Sequence, residues 1–268
     1  MLDQTGDTTP KWITLLAGAS AGLAVDTSLY PIDTIKSRLQ SGKGFKAAGG
    51  FSNLYRGIKP VLIGSMPNSA TFFITYETTK GYLHNYGALS HVVAASAGEV
   101  ASCLVRVPYE VIKMRLQVKT INVRTIYAEI ITREGYIGLY RGFTATVFRD
   151  VPFSALQYPI WELLKENHMN RNKRPATTAE SAYYGSIAGG IAAFVTNPLD
   201  VAKTRVMIAK HNDPLASGKL VAALRAVHSE TGIRGLFSGV VPRVIWISVG
   251  AAIFLGSYET ALQLLTSK

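Results

Sequence analysis

Apolar positions in this chain gather into six stretches of helical length: Trp12 to Tyr30, Pro60 to Tyr76, His91 to Val107, Phe143 to Trp161, Ser181 to Asn197 and Val240 to Tyr258. The first, third and fifth are rich in small residues, and each runs into a proline with charges crowded behind it. Those strings are "PIDTIKSRLQ" from Pro31, "PYEVIKMRLQ" from Pro108 and "PLDVAKTRVM" from Pro198, three copies of Pro-x-acid-x-x-Lys-x-Arg. The second, fourth and sixth stretches follow blocks that end in glycine: "GGFSNLYRG" at 49 to 57, "EGYIGLYRG" at 134 to 142 and "TGIRGLFSG" at 231 to 239. The chain is therefore a tandem triplication, with repeats at 1–86, 87–174 and 175–268 and two predicted helices in each.

Hydropathy alone does not decide whether the six helices span a membrane. Only Ser181 to Leu199 runs 18 or more residues without a charge, because Asp26, Glu99, Arg106 and Asp150 interrupt other stretches. Gly18 with Gly22, and Gly185 with Gly189, have the GxxxG spacing that lets membrane helices approach closely. A soluble helical repeat with glycine at packing positions is the alternative. It gives no reason for a proline at the same place in every first helix followed by uncompensated charge. Kinked helices with charged ends suit the lining of a pore.

Composition narrows the function. Apolar residues make up 48% of the 268 and charged residues 17%, and the mean hydropathy is +0.18, too apolar for a typical soluble enzyme. A net charge of +11 suits anionic partners: nucleic acid, phosphate-bearing metabolites or a membrane surface. Six apolar segments argue against nucleic acid. Cys103 is the sole cysteine, so no intrachain disulfide or cysteine-based metal cluster is expected, and the five histidines show no paired ligand spacing. No general base accompanies Cys103 in the sequence, which argues against a catalytic thiol and against an enzyme. Asp3 and Asp7 precede the first base, Lys11, so neither a secretory signal nor an Arg-rich cleavable leader is expected at the N-terminus.

Three copies of Pro-x-acid-x-x-Lys-x-Arg, each followed by an aromatic and a terminal glycine, resemble the mitochondrial carrier family over the whole chain. The resemblance implies an all-α membrane protein of six transmembrane helices built from three tandem repeats with pseudo-threefold symmetry, and a short matrix helix in each repeat. It also implies a monomer of the mitochondrial inner membrane with both termini on the intermembrane-space side. Within the family, "GGFSNLYRG", "FRDVPFSALQYPIWE" and "NPLDVAKTRVM" are most similar to the branch that carries S-adenosylmethionine. That branch implies exchange of S-adenosylmethionine for S-adenosylhomocysteine by alternating access, with no cofactor. A basic amino acid of the ornithine or arginine type, or another adenine-bearing cofactor, is the alternative cargo. A receptor or scaffold on a degenerate carrier fold would be expected to lose the motif charges, which are intact here.

The motif acids Asp33, Glu110 and Asp200 stand three residues before Lys36, Lys113 and Lys203, so each acid and its lysine lie on adjacent turns of one helix face. Facing lipid near mid-membrane, each of the six charges would cost roughly 2.5 to 3.5 kcal/mol, about 18 kcal/mol together, against the roughly 5 to 15 kcal/mol by which a fold is usually stable. They must face inward and pair. The resemblance implies pairs between neighbouring repeats, Asp33 with Lys113, Glu110 with Lys203 and Asp200 with Lys36, closing a matrix gate. Gln40 and Gln117 hold the bracing positions, where the third repeat has Met207. A cytoplasmic gate is implied by "YETTK" at Tyr76 and "WELLK" at Trp161, while "YETAL" at Tyr258 lacks the base. The implied pairs are Glu77 with Lys165 and Glu259 with Lys80, which leaves Glu162 alone and makes this gate the weaker.

An asymmetric cargo must be read by side chains that break the threefold pattern. Five residues before the prolines stand Asp26, Cys103 and Ala193; twelve before the far acids stand Ser65, Asp150 and Ile247, preceded by Gly64, Arg149 and Trp246. The positions of Arg149 and Asp150 match a contact point of the family. Arginine can take a carboxylate through two parallel bonds, and the acids can take an ammonium or sulfonium. Arg149 with Asp150 could also be a structural pair. Glu99, where the other repeats have Gly22 and Gly189, is either a cavity ligand or a helix contact. Trp246 and Phe72 could stack an adenine or simply pack. Gly57, Gly142 and Gly239 open the second helices, where bare amides and the helix dipole can hold a phosphate, and the resemblance makes cardiolipin the expected occupant. The first repeat spans only 26 residues from Pro31 to Gly57, against 34 and 41 later, so its matrix helix must be short.

Overall fold

The computed structural model describes residues 11–83, 88–118, 121–209, 213, 215 and 218–266. Repeat one supplies α1 (Lys11–Gln40) and α2 (Ile58–Tyr82). Repeat two supplies α3 (Ala88–Val118), α4 (Val123–Glu134) and α5 (Phe143–Asn172). Repeat three supplies α6 (Thr178–Val195), α7 (Asn197–Ile208), α8 (Leu220–Leu236) and α9 (Val240–Thr266). No strand occurs among the described residues.

Pro31 and Pro108 lie inside α1 and α3, which continue through them although each ring removes one backbone donor. The third copy behaves differently. Here α6 stops at Val195, and Thr196 turns back through its N–H to Ala192 O at 2.9 Å and its Oγ1 to the same carbonyl at 2.7 Å. Pro198 then falls in the first turn of a new helix, where a missing N–H costs nothing. Asn197 donates instead to Leu236 O at 2.9 Å, so the break is tied to the end of α8. The one stretch without charges is thus two helices. No single described helix is long and apolar enough to cross a membrane alone, although α8 with the first part of α9 passes that test as a pair bent by 58°.

Helix contacts close a ring. In order, α1 packs on α2, α2 on α3, α3 on α5, α5 on α6, α6 on α9, and α9 back on α1. Small residues allow the close seams: a Cβ on Gly98 would stand 3.1 Å from Phe72, and one on Gly189 would stand 2.8 Å from Ile247 Cγ2. At the GxxxG glycines of α1, Cβ atoms on Gly18 or Gly22 would meet nothing within 4 Å among the described residues.

The main apolar core lies at the proline end, where Val107, Val111, Met114 and Leu116 of α3 meet Ile126 and Ile130 of α4 and Met207 of α7. The first repeat has no counterpart of α4. Residues 41–57 form turns, and the expected short helix is reduced to one turn closed by Ala48 N–H to Gly44 O at 3.0 Å and Gly50 N–H to Phe45 O at 2.9 Å. The connection is too short for more, and Gly49 (φ 112°) and Gly50 (φ 53°) turn the chain back at once.

Candidate functional site

At the proline end the motif charges meet across the ring. Lys113 Nζ lies 2.7 Å from Asp33 Oδ2, Lys203 Nζ 2.6 Å from Glu110 Oε1, and Lys36 Nζ 2.7 Å from Asp200 Oδ2. Each proline-bearing helix therefore offers its lysine to the acid of the preceding repeat, and the three pairs form a closed circuit. Gln40 Nε2 donates to Asp200 Oδ2 at 2.8 Å and Gln117 Nε2 to Asp33 Oδ2 at 3.1 Å. Where a third glutamine would stand, Met207 is fully buried, and Glu110 Oε2 is left buried with no hydrogen-bond partner.

The motif arginines, to which the spacing assigned no task, carry a second circuit. Arg38 Nε donates to Gln117 O at 2.9 Å, Arg115 Nε to Met207 O at 3.2 Å, and Arg205 Nε to Gln40 O at 3.2 Å. These are last-turn carbonyls that a helix cannot satisfy internally. Arg115 also holds Glu134 with bonds of 3.0 and 2.9 Å, and Arg205 holds Glu230 at 2.9 Å. Repeat one has Gly49 where Glu134 stands in repeat two, and there Arg38 Nη1 collects the carbonyls of Gly50 and Ser52, both at 2.7 Å. A single turn thus replaces a carboxylate.

Gly57, Gly142 and Gly239 share the same cyclic order. All have positive φ (89°, 86° and 72°), and a Cβ would lie 3.3 Å from Lys113 O, 2.9 Å from Met207 Cγ and 3.2 Å from Lys36 O respectively. Each opens its helix by pressing bare backbone against the proline-bearing helix of the next repeat, a structural need that holds whether or not a phosphate is bound.

Above the circuit, repeat two supplies a charged wall. Arg106 Nη2 donates to Glu99 Oε1 at 2.9 Å, reaches Cys103 Sγ at 3.1 Å, and contacts Asp150 Oδ2. Glu99, Cys103 and Asp150 offer ligand atoms within 4.8 Å of one another, but that guanidinium nitrogen already sits among them. Arg149 Nε is 2.9 Å from Asp150 Oδ1, with its N–H not aimed at that oxygen, and 3.9 Å from Asp200 Oδ1. Arg243 lies 3.7 Å from Asp200 Oδ2 and donates to Ala193 O at 3.0 Å and Thr196 Oγ1 at 2.9 Å.

Arg106 and Arg243 were not among the sequence candidates, yet the same symmetry test finds them. Two residues before the prolines stand Leu29, Arg106 and Thr196, and four after the helix-opening glycines stand Val61, Thr146 and Arg243. Asp26 is half-buried on α1, and among the described residues it is the one carboxylate of this interior group with no ion-pair partner.

The aromatic candidates divide. Phe72 lies in the seam of α2 with α3, against Gly98 and stacked on Tyr76 at 6.2 Å, whereas Trp246 is half-buried on α9. At the far end Glu77 and Glu162 are exposed and form no ion pair among the described residues, so the implied bridge from Glu77 to Lys165 is not made here. Lys165 Nζ instead stands 4.3 Å over the Trp161 ring, and Lys80 Nζ 5.8 Å over Tyr76. The side chains of Glu259 and Leu262 lie outside the described residues. The bundle is thus bolted at its proline end, with the described far-end bases resting on aromatic faces.

Comparison with known proteins gives a consistent picture. The family model described as mitochondrial carrier protein matches residues 7–87, 84–172 and 174–268. The chain is 48% identical over 260 residues to the mitochondrial S-adenosylmethionine carrier protein of Mus musculus, with 94% of each chain covered. It is 47% identical over 251 residues to the protein of that name in Danio rerio, covering 91% of this chain and 94% of that one. The S-adenosylmethionine mitochondrial carrier protein homolog of Drosophila melanogaster is 42% identical over 260 residues, covering 94% of this chain and 92% of its own. Three matched repeats, three cross-repeat ion pairs and a ring closed by α1 on α9 place the chain in the mitochondrial carrier family.

Proposed function

We propose that the protein carries S-adenosylmethionine across the mitochondrial inner membrane by alternating access, in exchange for S-adenosylhomocysteine. The observation that carries this reading is Asp26, the half-buried carboxylate of the interior that forms no ion pair among the described residues. An unpaired carboxylate away from water is costly, so a cationic cargo is stabilised there. Repeat two faces the same interior with two arginines and two acids, chemistry suited to an amino-acid head group. The relatives named above carry S-adenosylmethionine in their names, and that molecule joins a sulfonium to such a head group and an adenine.

In this reading the pairs of Asp33, Glu110 and Asp200 with Lys113, Lys203 and Lys36, braced by Gln40 and Gln117, are the matrix gate. Glu77, Lys80, Glu162, Lys165 and Glu259 belong to the cytoplasmic gate, whose pair of Glu77 with Lys165 is apart in this state. Both termini then lie on the intermembrane-space side. The carrier works as a monomer, with cardiolipin phosphates at the amides that follow Gly57, Gly142 and Gly239. Trp246 is the better placed of the two aromatic candidates for the adenine, since Phe72 is spent on a helix seam.

Uptake into liposomes tests the proposal. Protein in vesicles preloaded with S-adenosylhomocysteine should take up labelled S-adenosylmethionine, and excess ornithine, arginine, coenzyme A or adenine nucleotides should compete poorly. Ornithine competing better than S-adenosylmethionine itself would overturn the assignment. Asp26→Asn keeps shape and removes charge, so uptake should fall about 10- to 150-fold, the span expected for losing one charge-assisted contact of roughly 1.5 to 3 kcal/mol.

A further inference from the structure

Which side chains receive the amino-acid head group is a question the triplicated motif leaves open, and the answer offered here rests on the S-adenosylmethionine reading. Arg243 is taken up by Ala193 O and Thr196 Oγ1, which leaves the two arginines of repeat two, Arg106 and Arg149. They are engaged very differently.

Arg149 lies between Asp150 and Asp200, whose side chains are 10% and 4% exposed, and its Nε is buried with no hydrogen-bond partner among the described residues. Asp200 belongs to the ion-pair circuit, so the charge of Arg149 faces two of the least exposed acids of the interior. Arg106 is held through one nitrogen alone: among the described residues all its bonds leave from Nη2, while its Nε is buried with no partner. A guanidinium matches a carboxylate by two parallel N–H bonds, and here one edge has a donor to spare. Its companion Glu99 is 35% exposed, the most open of the interior carboxylates that are paired, and so the cheapest to separate from its cation. Glu99, Cys103 and Arg106 lie at i, i+4 and i+7, one face of α3.

We infer that the Glu99 and Arg106 pair is the receptor for the substrate's α-amino-acid head group, with the ammonium on Glu99 and the carboxylate on Arg106. The head group is itself a pair of opposite charges, so inserting it turns one bridge into two without changing the net charge of the interior. That exchange of partners avoids the cost of burying an uncompensated ion. Asp26, on another helix, is left for the sulfonium. Asp150 keeps Arg106 anchored while Glu99 is drawn away.

The discriminating ligand is decarboxylated S-adenosylmethionine, which keeps both cationic centres and the adenine and lacks only the carboxylate. In liposomes carrying the full-length protein, the KM ratio of decarboxylated to intact S-adenosylmethionine should be about tenfold or more in the wild type. It should fall to about twofold or less in the charge-neutral double variant Glu99→Gln, Arg106→Gln. Arg106→Lys keeps the charge facing Asp150 but loses the fork, and it should lower the ratio at least about threefold. The same ratios can be read as ligand-induced shifts in melting temperature of the detergent-purified protein, so a variant that binds without transporting is still informative. A ratio unchanged in both variants, or a uniform loss for both ligands, would overturn the inference. Should the wild type carry no S-adenosylmethionine, the functional reading fails instead, and ornithine against putrescine then tests the receptor in the same way.

Discussion

Met207 shows how much one side chain decides in a repeated structure. Its two counterparts, Gln40 and Gln117, each donate to a motif carboxylate, and the oxygen that a third glutamine would reach, Glu110 Oε2, is buried and unpartnered. Leaving such an acceptor without a hydrogen bond costs about 1 to 3 kcal/mol, more where the group is charged. Met207→Gln is close in volume and supplies the missing donor. It should stabilise the bolted state, raising the melting temperature by a few degrees and slowing exchange several-fold. A thermal-shift assay and uptake rates on the same preparation check both. Faster exchange together with a lower melting temperature would mean that Met207 is held by its packing on Gly142 and not by the absence of a brace.

Helices in this protein are joined by glycines of two kinds that the sequence alone does not distinguish. Gly142 has φ 86°, and a Cβ there would approach Met207 Cγ to 2.9 Å, so Gly142→Ala should cost about 1 to 3 kcal/mol through backbone strain and crowding. Gly18 is helical with nothing within 4 Å of its would-be Cβ among the described residues, so Gly18→Ala should be neutral or stabilising by up to about 1 kcal/mol. The melting temperature should fall for Gly142→Ala and hold or rise for Gly18→Ala. Equal losses would show that Gly18 packs on something in a membrane after all. The elements also differ in how they treat proline. α1 and α3 run through theirs, whereas the third copy breaks, because Thr196 and Asn197 find side-chain and backbone partners for the groups that the break frees.

Across the whole molecule, closure is a property of the ring. The ion-pair circuit joins every repeat to the next, and removing one partner of a buried pair costs about 3 to 5 kcal/mol because it strands the other charge. Lys113→Asp alone should therefore abolish transport, placing two carboxylates where Lys113 Nζ and Asp33 Oδ2 are 2.7 Å apart. Adding Asp33→Lys restores opposite charges in reversed order, and Gln117 can turn its amide to present oxygen instead of nitrogen. The double variant should regain part of the uptake, on the order of a tenth or more of wild type, reflecting a coupling of a few kcal/mol between neighbours in contact. No recovery at all would show that the order of charges matters to the interior field as well as their pairing.

Periodicity and composition are local, and they were enough for six apolar helices, their triplication, and the inward facing of the motif charges, since lipid cannot hold six of them. Symmetry read along the chain also marked Asp26, Arg149 and Asp150 as exceptions. The partners were another matter: which lysine meets which acid came with the family resemblance, and no spacing in one chain contains it. Gln40 meets Asp200 across 160 residues only because α9 returns to α1 and closes the ring. For the same reason the sequence could not show that Arg106 bridges Glu99 and Asp150, that Phe72 belongs to a helix seam, or that a Cβ on Gly189 would press on Ile247. Each of these depends on which helix stands opposite, and that is fixed by packing over the whole ring.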